Sequence, residues 1–65
     1  MKERVEEIAD RLDRISEDIA DAAIELLRDA LRSGASSRPT SEKTLTQARR
    51  AVEKAAHLLR SVEPD

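Results

Sequence analysis

The chain has no cysteine, phenylalanine, tyrosine or tryptophan, and it has one glycine and two prolines among 65 residues. Without cysteine it has no disulfide and no thiolate metal site, and its single histidine cannot build a zinc site alone. The aromatic side chains that bury the most area are also missing. A core of this size rarely supplies more than about 3–5 kcal/mol, so small domains usually need a further source of stability. The composition leaves oligomerisation as that source.

Long apolar runs are missing too. No stretch approaches the roughly 18 apolar residues that a membrane span requires, and the first residues lead into an acidic amphipathic segment, which is not typical of a signal peptide. We therefore expect a cytoplasmic protein with no membrane association.

The charge is unevenly divided, because residues 1–33 carry ten acidic and six basic side chains whereas residues 34–65 carry four acidic and six basic side chains. This division favours pairing of the two halves, although each exposed ion pair contributes little.

Two apolar stripes with alternating steps of three and four residues dominate the sequence. Such steps are typical of one buried face on an α-helix. They predict one all-α domain over 1–65, with a first helix at about 3–33, a loop at 34–40 and a second helix at about 41–62. Because the loop is short and polar, we expect the helices to form an antiparallel hairpin. The core residues predicted within the hairpin are Ala22, Leu26, Leu45, Ala48, Val52, Ala55, Leu59 and Val62.

The apolar surface of the first helix is too wide for one partner helix. Beyond Ile19 the apolar positions cover about 200° of the helical wheel, against the roughly 100° of a simple amphipathic helix. The first helix is also longer than the second, so its first turns lie beyond the end of a folded-back partner. We therefore predict self-association, as a dimeric four-helix bundle. The predicted oligomer interface comprises Val5, Ile8, Leu12, Ile15, Ile19, Ile24, Leu27, Leu31 and Leu58.

This predicted architecture resembles that of small two-helix proteins of the Rop type, which dimerise into antiparallel four-helix bundles. The resemblance rests on length and helix number. No sequence motif is shared, so none of that family's RNA-binding residues is assigned to this chain.

No catalytic or cofactor site is predicted. Glu53 and His57 are four residues apart, but both fall on the polar face of the second helix, where we expect a solvated pair. The acidic residues of the first helix follow a straight ridge, which cannot converge on a metal ion as a calcium loop does. With Gly34 as the only glycine there is no phosphate-binding loop. We therefore expect neither an enzyme nor a bound cofactor or metal.

The sequence favours the role of a small self-associating scaffold or accessory protein that presents a charged surface to a protein partner. One alternative is a subunit whose apolar first helix docks on a different, larger protein. Another is a nucleic-acid-binding module, since clustered cations bind phosphate; the net charge of −2 and the lack of aromatic stacking residues argue against it. The basic face that it would use comprises Lys43, Arg49, Arg50, Lys54 and Arg60.

Overall fold

The computed structural model describes residues 2–34 and 40–62. These residues form two helices, α1 (Lys2–Arg32) and α2 (Thr40–Arg60), which pack side by side as a hairpin. The prediction of an all-α helical hairpin is confirmed. The helix ends differ from the predicted ones by one or two residues, and most of the predicted loop lies outside the described residues.

α1 ends at a glycine that adopts a left-handed backbone conformation. Gly34 has a φ of 77°, and its amide donates to the carbonyl of Leu31 at 3.2 Å. The amide of Ser33 donates to the carbonyl of Asp29 at 3.0 Å. A residue without a Cβ takes this conformation at no steric cost and satisfies carbonyls that the last turn leaves free. The glycine therefore defines where α1 stops.

Three side-chain contacts between the helices define the register of the antiparallel pair. The Ser16 hydroxyl of α1 donates to Glu53 Oε2 of α2 at 3.1 Å. Nearer the free ends of the helices, Arg60 Nη2 donates to Asp13 Oδ2 at 2.7 Å and to Asp10 Oδ1 at 2.8 Å. α2 therefore covers α1 as far as about Asp10, and the first turns of α1 extend past it.

Small residues line the contact between the helices, which we call the seam. Ala9 of α1 and Ala56 of α2 are 0% and 2% exposed, and Ser16 is 6% exposed. Ala9 and Ser16 are seven residues apart, or about two turns, so they face α2 from the same stripe of α1. Small side chains let the two backbones approach closely, and the register places the larger Leu12 and Val52 between them, each half-buried. The seam at the free ends of the hairpin is therefore narrow and closely packed.

The seam is looser toward the loop. At seven-residue spacing from Ala56, the positions of α2 that face α1 are Arg49 and Glu42. Charged groups resist burial, since removing a charge from water costs several kcal/mol unless it is paired. Both residues instead line a cavity of about 320 Å³ between the helices, together with apolar residues that include Ala23 and Leu45.

Candidate functional site

Two opposite faces of the hairpin carry exposed apolar side chains. Ile15 is 44% exposed and Ile24 is 49% exposed. They are nine residues apart on α1, which corresponds to about 180° at 100° per residue. The hairpin therefore has two separate apolar faces.

The first face, which we call the Ile15 face, is apolar along both helices. From α1 it has a row at seven-residue spacing, in which Ile8 is half-buried and Ile15 and Ala22 are exposed. α2 adds a parallel row and a second row beside it. The members of the Ile15 face are Ile8, Ile15, Ala22, Ala48, Ala51, Ala55, Leu58 and Val62. No charged residue interrupts these rows, so the face offers one continuous apolar surface.

The opposite face, which we call the Ile24 face, is divided into a charged half and an apolar half. The apolar half, near the loop, contains Ile24, Leu27 and Leu31, which are exposed, and borders the cavity between the helices. The charged half, near the free ends, contains the contacts of Arg60 with Asp10 and Asp13. The helical wheel places all of these α1 residues within about 60° of Asp13.

The charged half consists of side chains that neutralise one another. Hydrogen bonds from Arg60 to Asp13 and then to Asp10 raise the pKa of the Arg60 guanidinium above its ordinary value. Arg49 Nε lies 3.4 Å from Glu53 Oε2, and this carboxylate also accepts the Ser16 hydroxyl. All five charged residues keep at least 40% of their side-chain surface in water, so these pairs contribute little stability. The pairs of Arg60 link the two helices, whereas the pair of Arg49 lies within α2.

The residues that the sequence assigned to the hairpin core do not all lie in the seam. Leu26, Leu45, Val52, Ala55 and Leu59 are half-buried between the helices. The exposed members of this set are Ala22, Ala48 and Val62. Because these three belong to the Ile15 face, they do not fill the space between α1 and α2.

The residues assigned to the oligomer interface are also divided. Val5, Ile8, Leu12 and Ile19 are half-buried in the hairpin, whereas the exposed members are Ile15, Ile24, Leu27, Leu31 and Leu58. Ile15 and Leu58 lie on the Ile15 face, and the other three lie on the Ile24 face. The predicted set therefore covers two separate surfaces.

The basic face of α2 is smaller than its sequence indicates. All five of its cations are exposed, but Arg60 and Arg49 are paired with carboxylates. In the part of the chain that the structure describes, Lys43, Arg50 and Lys54 form no ion pair. Glu53, interpreted from the sequence as the partner of His57 on a solvated face, instead contacts Ser16 and Arg49.

Sequence reasoning missed two seam residues, Ala9 and Ser16. The predicted stripe of α1 follows steps of three and four residues that pass beside Ala9 and Ser16, so neither residue was assigned to the core. A repeat of small residues every seven positions, at Ala9, Ser16, Ala23 and Ala30, could have revealed the seam. The signal for close helix packing was thus the size of these side chains, not their hydrophobicity.

Within residues 2–34 and 40–62, no group of three or more acidic, cysteine or histidine side chains is placed to hold a metal ion. Neither helix, over the same residues, is long and apolar enough to cross a membrane.

The fold and its surfaces thus define a two-helix hairpin with one continuous and one divided apolar face. The chain matches no protein-family model, no curated protein and no solved structure.

Proposed function

We propose that this chain is a self-associating helical scaffold, in which two hairpins form a four-helix bundle that presents a charged surface to a protein partner. A cytoplasmic location is part of the proposal. The observation that carries the proposal is the small size of the hairpin core, because no large side chain of the described residues is fully buried.

The accessible surface supports the same proposal. A compact monomer of 7.3 kDa is expected to expose about 4,200 Å². The hairpin exposes 5386 Å², an excess of about 1,200 Å² over that expectation. A stable interface buries about 800 Å² on each partner, so the excess is large enough to supply one.

The outer surface of such a bundle would be charged, since 40% of the residues are charged and nearly all of those described are exposed. We assign the contact with a protein partner to this surface. The apolar patch of Ile24, Leu27 and Leu31 would give that contact a hydrophobic centre, as exposed patches rimmed by polar residues commonly do.

Nucleic-acid binding is less well supported, because affinity for phosphate requires cations that are free to release counterions. Two of the five candidate cations, Arg49 and Arg60, already face carboxylates. The carboxylates that face Arg60 belong to α1, and the one that faces Arg49 belongs to α2.

Light scattering with circular dichroism tests the proposal. We expect a particle of twice 7.3 kDa at micromolar concentration, and a melting temperature that rises with concentration, because association stabilises only the folded chain. A folded monomer with a concentration-independent melting temperature would contradict self-association. A largely unfolded monomer would favour the alternative in which the chain folds on a larger protein.

A further inference from the structure

We propose that the second copy packs on the Ile15 face with its loop at the opposite end, about a two-fold axis that passes close to Ile15 and Ala55. This inference rests on the proposed self-association and specifies its surface and orientation. Helix α1 then lies antiparallel to α1 of the second copy, and α2 lies antiparallel to α2.

The choice of face follows from continuity. The rows that form the Ile15 face contain no charged side chain, although a charged row flanks them on α1, whereas ion pairs occupy half of the Ile24 face. Packing two Ile24 faces together would remove Arg60 and its two aspartates from water, which is costly for partly exposed ion pairs. Packing two Ile15 faces together buries apolar groups and leaves those pairs hydrated.

The orientation follows from the shape of the face. Large side chains lie near the free ends of the hairpin, where Ile8, Leu58 and Val62 are found, and alanines lie near the loop, at Ala22 and Ala48. With loops at opposite ends, Ile8 packs over Ala22 of the second copy and Val62 over Ala48. With loops at the same end, Ile8 would meet Val62 and the alanines would face each other across a void. Cores pack best when large residues meet small ones.

The charges beside the face favour the same orientation. One row of α1, at seven-residue spacing next to Ile15, reads Arg4, Arg11, Asp18 and Glu25, with two cations followed by two anions. An antiparallel α1 pair centred near Ile15 brings Arg11 level with Asp18 of the second copy and Arg4 level with Glu25. The matching row of α2, which α1 would face in the other orientation, is uncharged. Complementary charges of this kind fix register and exclude alternatives.

The overlap is longer on α1 than on α2. Centred on Ile15, α1 residues 2–28 lie over the same residues of the second copy, a length of about 40 Å. With the axis near Ala55, α2 lies over its copy along residues 48–62, a length of about 22 Å. For helices about 9 Å apart, the two strips give a contact of roughly 550 Å² on each copy, toward the lower end of the range for specific interfaces. The first turns of α1, which extend past α2 in one hairpin, are covered by the second copy.

Cysteine cross-linking tests this arrangement, and the absence of native cysteine makes single variants unambiguous. Under mild oxidation, Ile15→Cys should give a disulfide-linked dimer in high yield, because a residue on the two-fold axis meets itself at a distance a disulfide can span. Ile8→Cys alone should not cross-link, but a mixture of the Ile8→Cys and Ala22→Cys chains should. Ile24→Cys, similarly exposed on the opposite face, is the matched control.

Each alternative gives a different result. Efficient cross-linking of Ile24→Cys with little cross-linking of Ile15→Cys would show that the copies meet through the Ile24 face, and it would overturn the inference. Cross-linking of a mixture of Ile8→Cys and Val62→Cys, without that of Ile15→Cys, would show loops at the same end and also overturn it. In both cases light scattering still finds a dimer, whereas failure of the proposed function itself appears as a monomeric unsubstituted chain.

Discussion

A pair of matched substitutions separates the two apolar faces. Ile15 and Ile24 are nearly equally exposed in a single hairpin, at 44% and 49%, and glutamate has a higher helix propensity than isoleucine. Ile15→Glu and Ile24→Glu should therefore have similar effects on an isolated hairpin. Any difference between them in the assembled protein reports which face is buried by the second copy.

The expected difference can be estimated from the structure. Fully burying an isoleucine side chain contributes about 1.5–3 kcal/mol, so covering the exposed 44% of Ile15 contributes about 1 kcal/mol per copy, or about 2 kcal/mol per dimer. An unpaired carboxylate placed there adds a penalty of several kcal/mol per copy. Since 1.4 kcal/mol is a tenfold change in affinity, Ile15→Glu should raise the dissociation constant at least a thousandfold.

The same reasoning predicts only a small effect, within about threefold, for Ile24→Glu, because its side chain stays in water. Sedimentation equilibrium over a range of concentrations measures both constants. If the two variants weaken the dimer equally, or if Ile24→Glu weakens it more, the assignment of the Ile15 face is wrong.

Three further predictions concern charge, register and binding. Arg11→Glu and Asp18→Lys should each weaken the homodimer through like-charge contacts. When the two variants are mixed, native mass spectrometry should find that heterodimers exceed the statistical half of all dimers. A statistical mixture would contradict the antiparallel register. Ser16→Ala should lower the free energy of unfolding by about 0.5–1.5 kcal/mol in urea titrations, the net value of one hydrogen bond, whereas no loss would mean that the bond to a solvated carboxylate is not stabilising. No binding to mixed-sequence DNA or RNA is expected at about 150 mM salt; micromolar binding at that salt that Arg50→Glu with Lys54→Glu abolishes would favour the nucleic-acid alternative.

The helices could be predicted from sequence because their periodicity is strong, and the single glycine gave the end of α1. The distribution of the apolar residues between the seam and the two exposed faces could not be predicted from the sequence. Periodicity at about 100° per residue shows which residues share a stripe, but the direction of the partner helix within a wide stripe depends on where the chains approach closely. That direction is set by Ala9, Ser16 and Ala56, whose small size carries no weight in a hydrophobic pattern.

The pairing of Arg60 with Asp10 and Asp13 could not be predicted from the sequence either. Charge counts showed that an acidic and a basic helix would attract each other, but not which side chains would meet. That requires the register, and the register depends on the conformation of the connection and on the packing of the seam. Once Ser16 lies beside Glu53, the position of Arg60 next to Asp13 follows from the antiparallel geometry.

The uneven seam has a consequence for how the hairpin opens. Local opening is least costly where few apolar contacts must be broken, and here that is beside the cavity at Arg49 and Glu42, not at the free ends where Ala9 and Ala56 are closely packed. Amide hydrogen exchange should therefore be faster in the first turns of α2 than in its last full turns. The two helices would therefore separate first at the end where the chain joins them, while the closely packed free ends stay together.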